Sequence, residues 1–211
     1  SKKLGDQGWI GMTWPKKYGG HERTFLERYV VMEELLASGA PVAWHWIADR
    51  QSGNIILTAG TEEQRETFLP RIAAGECSFC IGMSEPDSGS ALAATRSKAE
   101  KVDGGWKVNG SKIWTTNAQQ ASYMIAILRT DNEDKHGGLS QFIIDMKSPG
   151  LTVRPIVNLA GNAHFNECVF EDVFVPDNRI IGAPGSGWKQ VTSELAYERS
   201  CPERYLSCIQ L

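Results

Sequence analysis

The spacing of apolar positions changes twice along the chain, near Glu76 and near Gly187. From Glu22 to Ala37, Phe25, Tyr29, Met32, Leu35 and Leu36 recur at steps of three or four, which predicts a helix with one buried face ending at Ser38-Gly39. A second helical pattern runs from Val42 to Ala59. Thr61-Glu62-Glu63-Gln64 has the spacing of a capping box, in which the Thr oxygen and the Gln side chain each satisfy a backbone donor, and the helix it opens runs toward Ala74-Gly75. After Glu76 short β-prone runs take over: Phe79 to Met83, Trp106 to Asn109, Tyr123 to Leu128, Phe142 to Ile144, Leu151 to Pro155 and Glu167 to Val175, separated by Gly, Asn and Asp. Strands at this spacing predict a small barrel or sandwich that closes with the turn Pro176-Asp177-Asn178. Beyond Gly187, Trp188, Val191, Leu195 and Arg199 return to helical spacing, and the pattern stops with the chain at Leu211 without a capping Gly, as a helix interrupted there would.

Composition narrows the class. With 211 residues, 41% hydrophobic and 22% charged, the chain has the make-up of a soluble globular protein with room for one large domain or two small ones. A net charge of −3 and a pI near 5.8 supply no basic field for a nucleic-acid backbone, so nucleic acid is not an expected partner. The five cysteines are odd in number, and only Cys77 and Cys80 lie close together, which fits a reducing compartment. No second Cys or His pair completes a metal site, so Cys77 and Cys80 read as buried thiols in a strand and no metal is expected. No apolar run approaches the roughly 18 residues of a membrane span. The first residues lack a signal peptide's apolar segment, and without an initiating Met an upstream segment is expected to be missing. No internal repeat is evident, and no Gly-x-Gly-x-x-Gly follows a strand, so a nucleotide cofactor has to be held in another way.

Two segments carry candidate chemistry. Met83-Ser84-Glu85-Pro86-Asp87-Ser88-Gly89-Ser90 joins a strand to a loop whose Pro and Gly fix a tight path, setting hydroxyls and backbone N–H groups side by side. It reads as a cradle for carbonyl or phosphate oxygens or, taken alone, as a solvated turn. In Asn109-Gly110-Ser111-Lys112-Ile113-Trp114-Thr115-Thr116-Asn117 the Asn-Gly pair predicts a hairpin turn, and the strand after it presents an indole beside two hydroxyls. Those groups suit a flat heteroaromatic ring, although a Trp among strands is also ordinary core.

Together the two segments resemble the acyl-CoA dehydrogenase family, whose middle domain carries a Thr/Ser-Glu-Pro-x-x-Gly-Ser-Asp loop and an Asn-Gly-x-Lys-x-(Trp/Phe) strand in this order. The resemblance extends to Gly8-Trp9-Ile10-Gly11, Trp14-Pro15 through Gly19-Gly20, Gly60-Thr61 through Gln64, Phe68-Leu69-Pro70, Phe165-Asn166-Glu167, Phe170 to Val173, Val175-Pro176 and Gly185 to Trp188. It implies an α+β multidomain fold: a helical N-terminal domain over 1–76 with upstream helices missing, a β-barrel middle domain over 77–184, and the first helix of a truncated C-terminal helical domain over 185–211. It also implies FAD as cofactor, acyl-CoA as substrate, an acceptor such as electron-transfer flavoprotein, and a homotetramer or heterotetramer. The expected location is the bacterial cytoplasm, or else the mitochondrial matrix. Matched residue by residue, Met83 and Ser84 would meet the pyrimidine edge of the flavin, Gly89 and Ser90 would lie toward its phosphates or the CoA, and Trp114, Thr115 and Thr116 would line the ring. Ala91 departs from the pattern, standing where the family usually has Asp, which puts loop order or CoA affinity in doubt.

The implied reaction removes an α-proton while a hydride leaves Cβ, so it needs a base, and a carboxylate in an apolar pocket suits the task. Glu198, followed by Arg199, matches one of the family's two placements for this Glu, and the other falls beyond Leu211. A solvated or salt-bridged helix face is the competing reading of Glu198. Arg199 suits a structural role or a contact with the cofactor or CoA. The tail from Pro202 to Leu206 resembles bacterial members that act on branched or bulky acyl groups. Rival functions are an acyl-CoA oxidase, a nitroalkane oxidase or a monooxygenase on the same scaffold, a non-catalytic partner subunit of a heteromeric dehydrogenase, and a plain acyl-binding module.

Overall fold

A computed structural model describes residues 1–131, 134, 136–200 and 206, so the tail from Pro202 lies outside the described residues except for Leu206. The chain divides into two compact units, one of residues 1–78 with the stretch from Val191, the other of residues 79–190.

The first unit is helical. It contains α1 (Lys2–Asp6), α2 (Phe25–Ala37), α3 (Ala43–Trp46), α4 (Gly53–Ala59), α5 (Glu62–Ala73) and, from Val191 on, α6 (Gly187–Ser200). The predicted helix over 42–59 is interrupted by a π-helical turn, Ile47–Ser52, which carries α3 into α4. Capping boxes open α2 at Thr24 and α5 at Thr61, where the hydroxyls accept from the N–H of Glu27 and of Gln64 and those side chains accept from the cap N–H in return. The core gathers Ile10, Trp14, Ile56, Phe68, Leu69 and Ile72. One expectation fails: no residue of α2 is buried, and Phe25 is 73% exposed. Periodicity shows which face of a helix is apolar; it does not show what covers that face. Beside that face lies a cavity of about 560 Å³ lined by Trp9, Met12, His21, Leu26 and Val30, among others.

The second unit is a single eight-stranded sheet: β1 (Phe79–Gly82), β2 (Lys98–Val102), β3 (Gly105–Thr116), β4 (Tyr123–Arg129), β5 (Leu139–Asp145), β6 (Leu151–Ile156), β7 (Phe165–Pro176) and β8 (Ile180–Ile181). The order is β6-β7-β3-β2-β4-β5-β8, with β1 pairing parallel to β4. β2 and β4 meet at a single residue pair, Lys98 and Arg129, and the strands on either side of that seam share one core of Val108, Met124, Leu128, Phe142, Phe170 and Val173. β6 is an edge strand, where Pro155 is tolerated because an edge has no second ladder to supply.

The predicted hairpin at Asn109-Gly110 is not a turn. The β2–β3 hairpin turns at Asp103-Gly104, with Gly104 at φ 69°, and Asn109-Gly110 lies inside β3. Asp-Gly and Asn-Gly signal the same turn, and here the Asp-Gly pair forms it. Asn109 instead braces a bulge on β7: its side chain donates to Asp172 Oδ1 (2.9 Å) and accepts from Asp172 N (2.9 Å), where Asp172 has φ 52°.

In the first unit the Trp14 ring lies against the backbone of Gly53, and its Nε1 donates to Asn54 Oδ1 (3.1 Å). A methyl group on Gly53 would overlap that ring. Gly→Ala in a helix normally gains about 1 kcal/mol. Gly53→Ala should instead cost about 1–3 kcal/mol by overpacking, a sign reversal readable as a lower midpoint in urea unfolding.

Candidate functional site

Two bulges of opposite sense place the side chains of β3. Val108 pairs with Val173 and Gly110 with Phe170, so β7 carries the extra residue there; Lys112 pairs with Cys168 and Thr115 with Asn166, so at the second the extra residue is on β3. Before the second bulge the inward positions are Trp106, Val108 and Lys112, and continued alternation would turn Trp114 inward as well. The extra residue shifts the phase by one. Trp114, with φ 61°, is left 57% exposed, Thr115 is buried, and Thr116 is half-buried.

Phe165, opposite Thr116 on β7, is exposed and stands edge-on to the Trp114 ring, with centroids 6.2 Å apart. Asn117, with φ 56°, donates its N–H to the carbonyl of His164 (2.8 Å) and ties this corner to the loop before β7. The loop after β1 closes the other side, because Ile113 N donates to Ser84 O (2.8 Å). The result is an aromatic shelf of Trp114 and Phe165 flanked by Thr116 and by the main chain at Met83 and Ser84.

Under this shelf lies a buried ion pair that the sequence reading passed over. Lys112 Nζ is 2.8 Å from Glu85 Oε1 and donates to Met83 O (3.2 Å), with side-chain exposures of 0% for Lys112 and 6% for Glu85. Glu85 also accepts from Arg96 N (2.7 Å) and Ser97 N (2.9 Å). Burial opposes ionisation of Glu85, but the Lys112 ammonium and the two N–H groups outweigh it and hold the carboxyl below its usual range. Burial lowers the Lys112 ammonium to about 8, with Glu85 pulling the other way. The sequence did offer a signal: Lys112 falls in phase with Trp106 and Val108, the inward positions of β3.

The structure therefore brings Met83, Ser84, Trp114 and Thr116 together. Thr115 faces inward, and Asn166, opposite it, donates from Nδ2 to the Thr115 carbonyl (3.0 Å). Gly89 and Ser90 are exposed farther along the loop. Glu198 and Arg199 belong to the helical unit, on α6; Glu198 is half-buried and one turn from the buried Glu194, whereas Arg199 is exposed. His164 is exposed in the loop before β7. Cys80 and Cys168 are fully buried, and burial raises both thiols, Cys168 to about 11, which leaves them inert. No cluster of metal-ligating side chains and no helix long and apolar enough to cross a membrane occur among the described residues.

The loop carrying Ala91 is held without a side-chain hydrogen bond from that position. Ser88 Oγ donates to Ala91 O (2.8 Å), Glu85 and Ser88 exchange main-chain bonds, and the Arg129 guanidinium grips the carbonyls of Ala93 (2.8 Å) and Thr95 (2.9 Å).

The fold and this shelf define a helical domain and a mixed-sheet domain that carries an exposed aromatic pair, and family models identify both parts. Residues 1–76 match "Acyl-CoA dehydrogenase, N-terminal domain" and residues 80–173 match "Acyl-CoA dehydrogenase, middle domain". The chain belongs to the acyl-CoA dehydrogenase family. It is 38% identical to "Acyl-CoA dehydrogenase FadE34" of Mycobacterium tuberculosis over 93% of this chain and 27% of that one. Among solved structures it resembles "Tcur3481-Tcur3483 steroid ACAD" (TM-score 0.87, 35% identity, 94% of this chain and 51% of that one). It also resembles the ChsE4–ChsE5 complex of M. tuberculosis (TM-score 0.85, 36% identity, 93% and 50%). The chain thus spans between about a quarter and about half of the length of these relatives.

A left-handed backbone costs a non-glycine residue about 1–2 kcal/mol, and Trp114 recovers little of that through burial. Trp114→Gly should therefore unfold within about 1 kcal/mol of the parent, whereas Trp106→Ala, which removes a buried ring stacked edge-on against Phe142, should lose about 3–5 kcal/mol in the same denaturant titration.

Proposed function

We propose that this chain supplies the flavin cradle and one candidate base of an FAD-dependent acyl-CoA dehydrogenase, which converts an acyl-CoA thioester to its trans-2-enoyl form. The observation that carries the reading is the Trp114 bulge: a strained residue turned outward beside hydroxyls, where alternation alone would have buried it. The groups present fit a flavin. An exposed aromatic pair suits a flat ring, and the hydroxyls of Ser84 and Thr116 with the main chain at Met83 suit its polar edge.

In this reading Met83 and Ser84 would hold the polar edge of the flavin, Trp114 and Thr116 would cover its ring, and Gly89 and Ser90 would face the phosphates or the CoA. Thr115, being buried, acts only by keeping the strand in register. Bound FAD would supply the hydride acceptor. Glu198 takes the α-proton, favoured by its half-buried position on α6. Arg199, exposed on the same helix, would suit an anionic group of CoA. The relative named as a steroid enzyme supports a bulky or branched acyl group as substrate class. The ChsE4–ChsE5 complex supports assembly with a second subunit, and electron-transfer flavoprotein is the acceptor we expect.

The test is a visible spectrum of the full-length protein before and after anaerobic addition of branched, polycyclic and straight-chain acyl-CoA thioesters. A bound flavin that bleaches with a bulky thioester is the expected result; a protein that binds no flavin overturns the reading. Glu198→Gln should slow bleaching by about 10²- to 10⁴-fold, and an unchanged rate would move the base beyond Leu211.

A further inference from the structure

We propose that the buried Lys112–Glu85 pair is a positioning latch for the flavin cradle, holding the main chain at Met83 and Ser84 against the Trp114 bulge and thereby setting flavin affinity. The proposal rests on the flavin reading above and concerns residues that touch no ligand themselves.

The geometry is continuous from one half of the cradle to the other. Lys112 lies on β3 two residues before Trp114, and its stem runs beneath Gly82, the last residue of β1. Its Nζ donates to the carbonyl of Met83 (3.2 Å) as well as to Glu85 (2.8 Å). The next residue of each segment adds a main-chain bond, Ile113 N to Ser84 O (2.8 Å). Glu85 then reaches the far end of the loop, where it accepts from Arg96 N and Ser97 N, so the carboxylate closes the loop from residue 85 to residue 97 and Lys112 ties it to the Met83 carbonyl. Bulk solvent does not reach the ammonium, whose side chain has 0% exposure.

Stability alone is a poor account of such a pair. Apolar residues of similar shape commonly match or exceed a buried ion pair in stability, because desolvating two charges consumes most of what their attraction returns. What apolar residues cannot reproduce is a directed bond to the Met83 carbonyl and to two loop amides at once. If the pair were only structural, replacing both partners with neutral groups of similar shape would restore folding and flavin binding together. If it is a latch, folding recovers and flavin binding does not.

That difference is the experiment, made on the full-length protein with FAD affinity read by flavin fluorescence quenching and unfolding read in parallel. Lys112→Met, which strands the Glu85 charge, should lower the melting temperature and weaken FAD at least tenfold. The double variant Lys112→Met with Glu85→Gln should recover most of the lost melting temperature while FAD remains at least tenfold weaker and the visible bands of its bound flavin are shifted. A double variant that binds FAD within twofold of the parent, with unshifted bands, overturns the latch while leaving the flavin reading intact. A parent protein that binds no FAD overturns both. Should the variants with Lys112→Met fail to fold, Glu85→Gln alone keeps the shape of the loop. Amide exchange at Arg96, Ser97 and Ile113 should then speed up at least tenfold alongside weakened FAD, and unchanged exchange with unchanged affinity rejects the proposal.

Discussion

The arrangement of the candidate site depends on one constraint, that a β-strand alternates its side chains with a period of two. β3 has to bury Lys112 and expose Trp114, two residues later, which strict alternation forbids. The strand meets the demand with an extra residue and a left-handed backbone at Trp114. The bulge of opposite sense at Asp172 keeps the β3–β7 ladder in step over its full length, because one extra residue on each strand cancels in the register. The strain at Trp114 thus sits at one corner of the sheet, next to the loop whose backbone it meets.

Much of the frame was legible in the sequence because it rests on local chemistry. The Thr61 capping box, the apolar runs that became β1, β4, β5, β6 and β7, and the return to helical spacing at Gly187 each depend on neighbouring residues alone. β2 was harder to see, since Lys98, Glu100 and Lys101 mask its single buried side chain, Ala99, and β8 is only two residues long. Asn109-Gly110 misled for a physical reason: its turn signal is real, but Asp103-Gly104 satisfies the hairpin, and the Asn side chain serves a long-range partner, Asp172, that no local reading can supply. The α2 stripe misled in the same way, since amphipathicity names a face and leaves its partner open.

The candidate site was legible through its resemblance to a family and illegible through periodicity. Alternation would have assigned Trp114 to the core and Thr115 to the surface, the reverse of what the bulge produces. Motif matching named Trp114, Thr115 and Thr116 alike, and only the structure separates the residues that face outward from the one that does not. Alternation does place Lys112 inward with Trp106 and Val108, but neither route pairs it with Glu85, because a charged residue inside a motif invites a reading as a ligand contact or a solvated group, and both side chains are buried.

The loop from Met83 to Ser97 shows how a missing side chain can be tolerated. Asp is expected at position 91 and Ala is present, yet the loop's anchors lie elsewhere: the Glu85 carboxylate at its base, the Ser88 hydroxyl at its tip, and the Arg129 guanidinium on the carbonyls of Ala93 and Thr95. Each is a charged or hydroxyl group bonded to main chain, so the path is fixed by backbone geometry and is largely independent of which side chain stands at 91. What the substitution removes is a carboxylate on an exposed stretch of loop. Its consequence therefore falls on whatever anionic or polar group approaches that stretch, since the loop keeps the anchors at Glu85, Ser88 and Arg129.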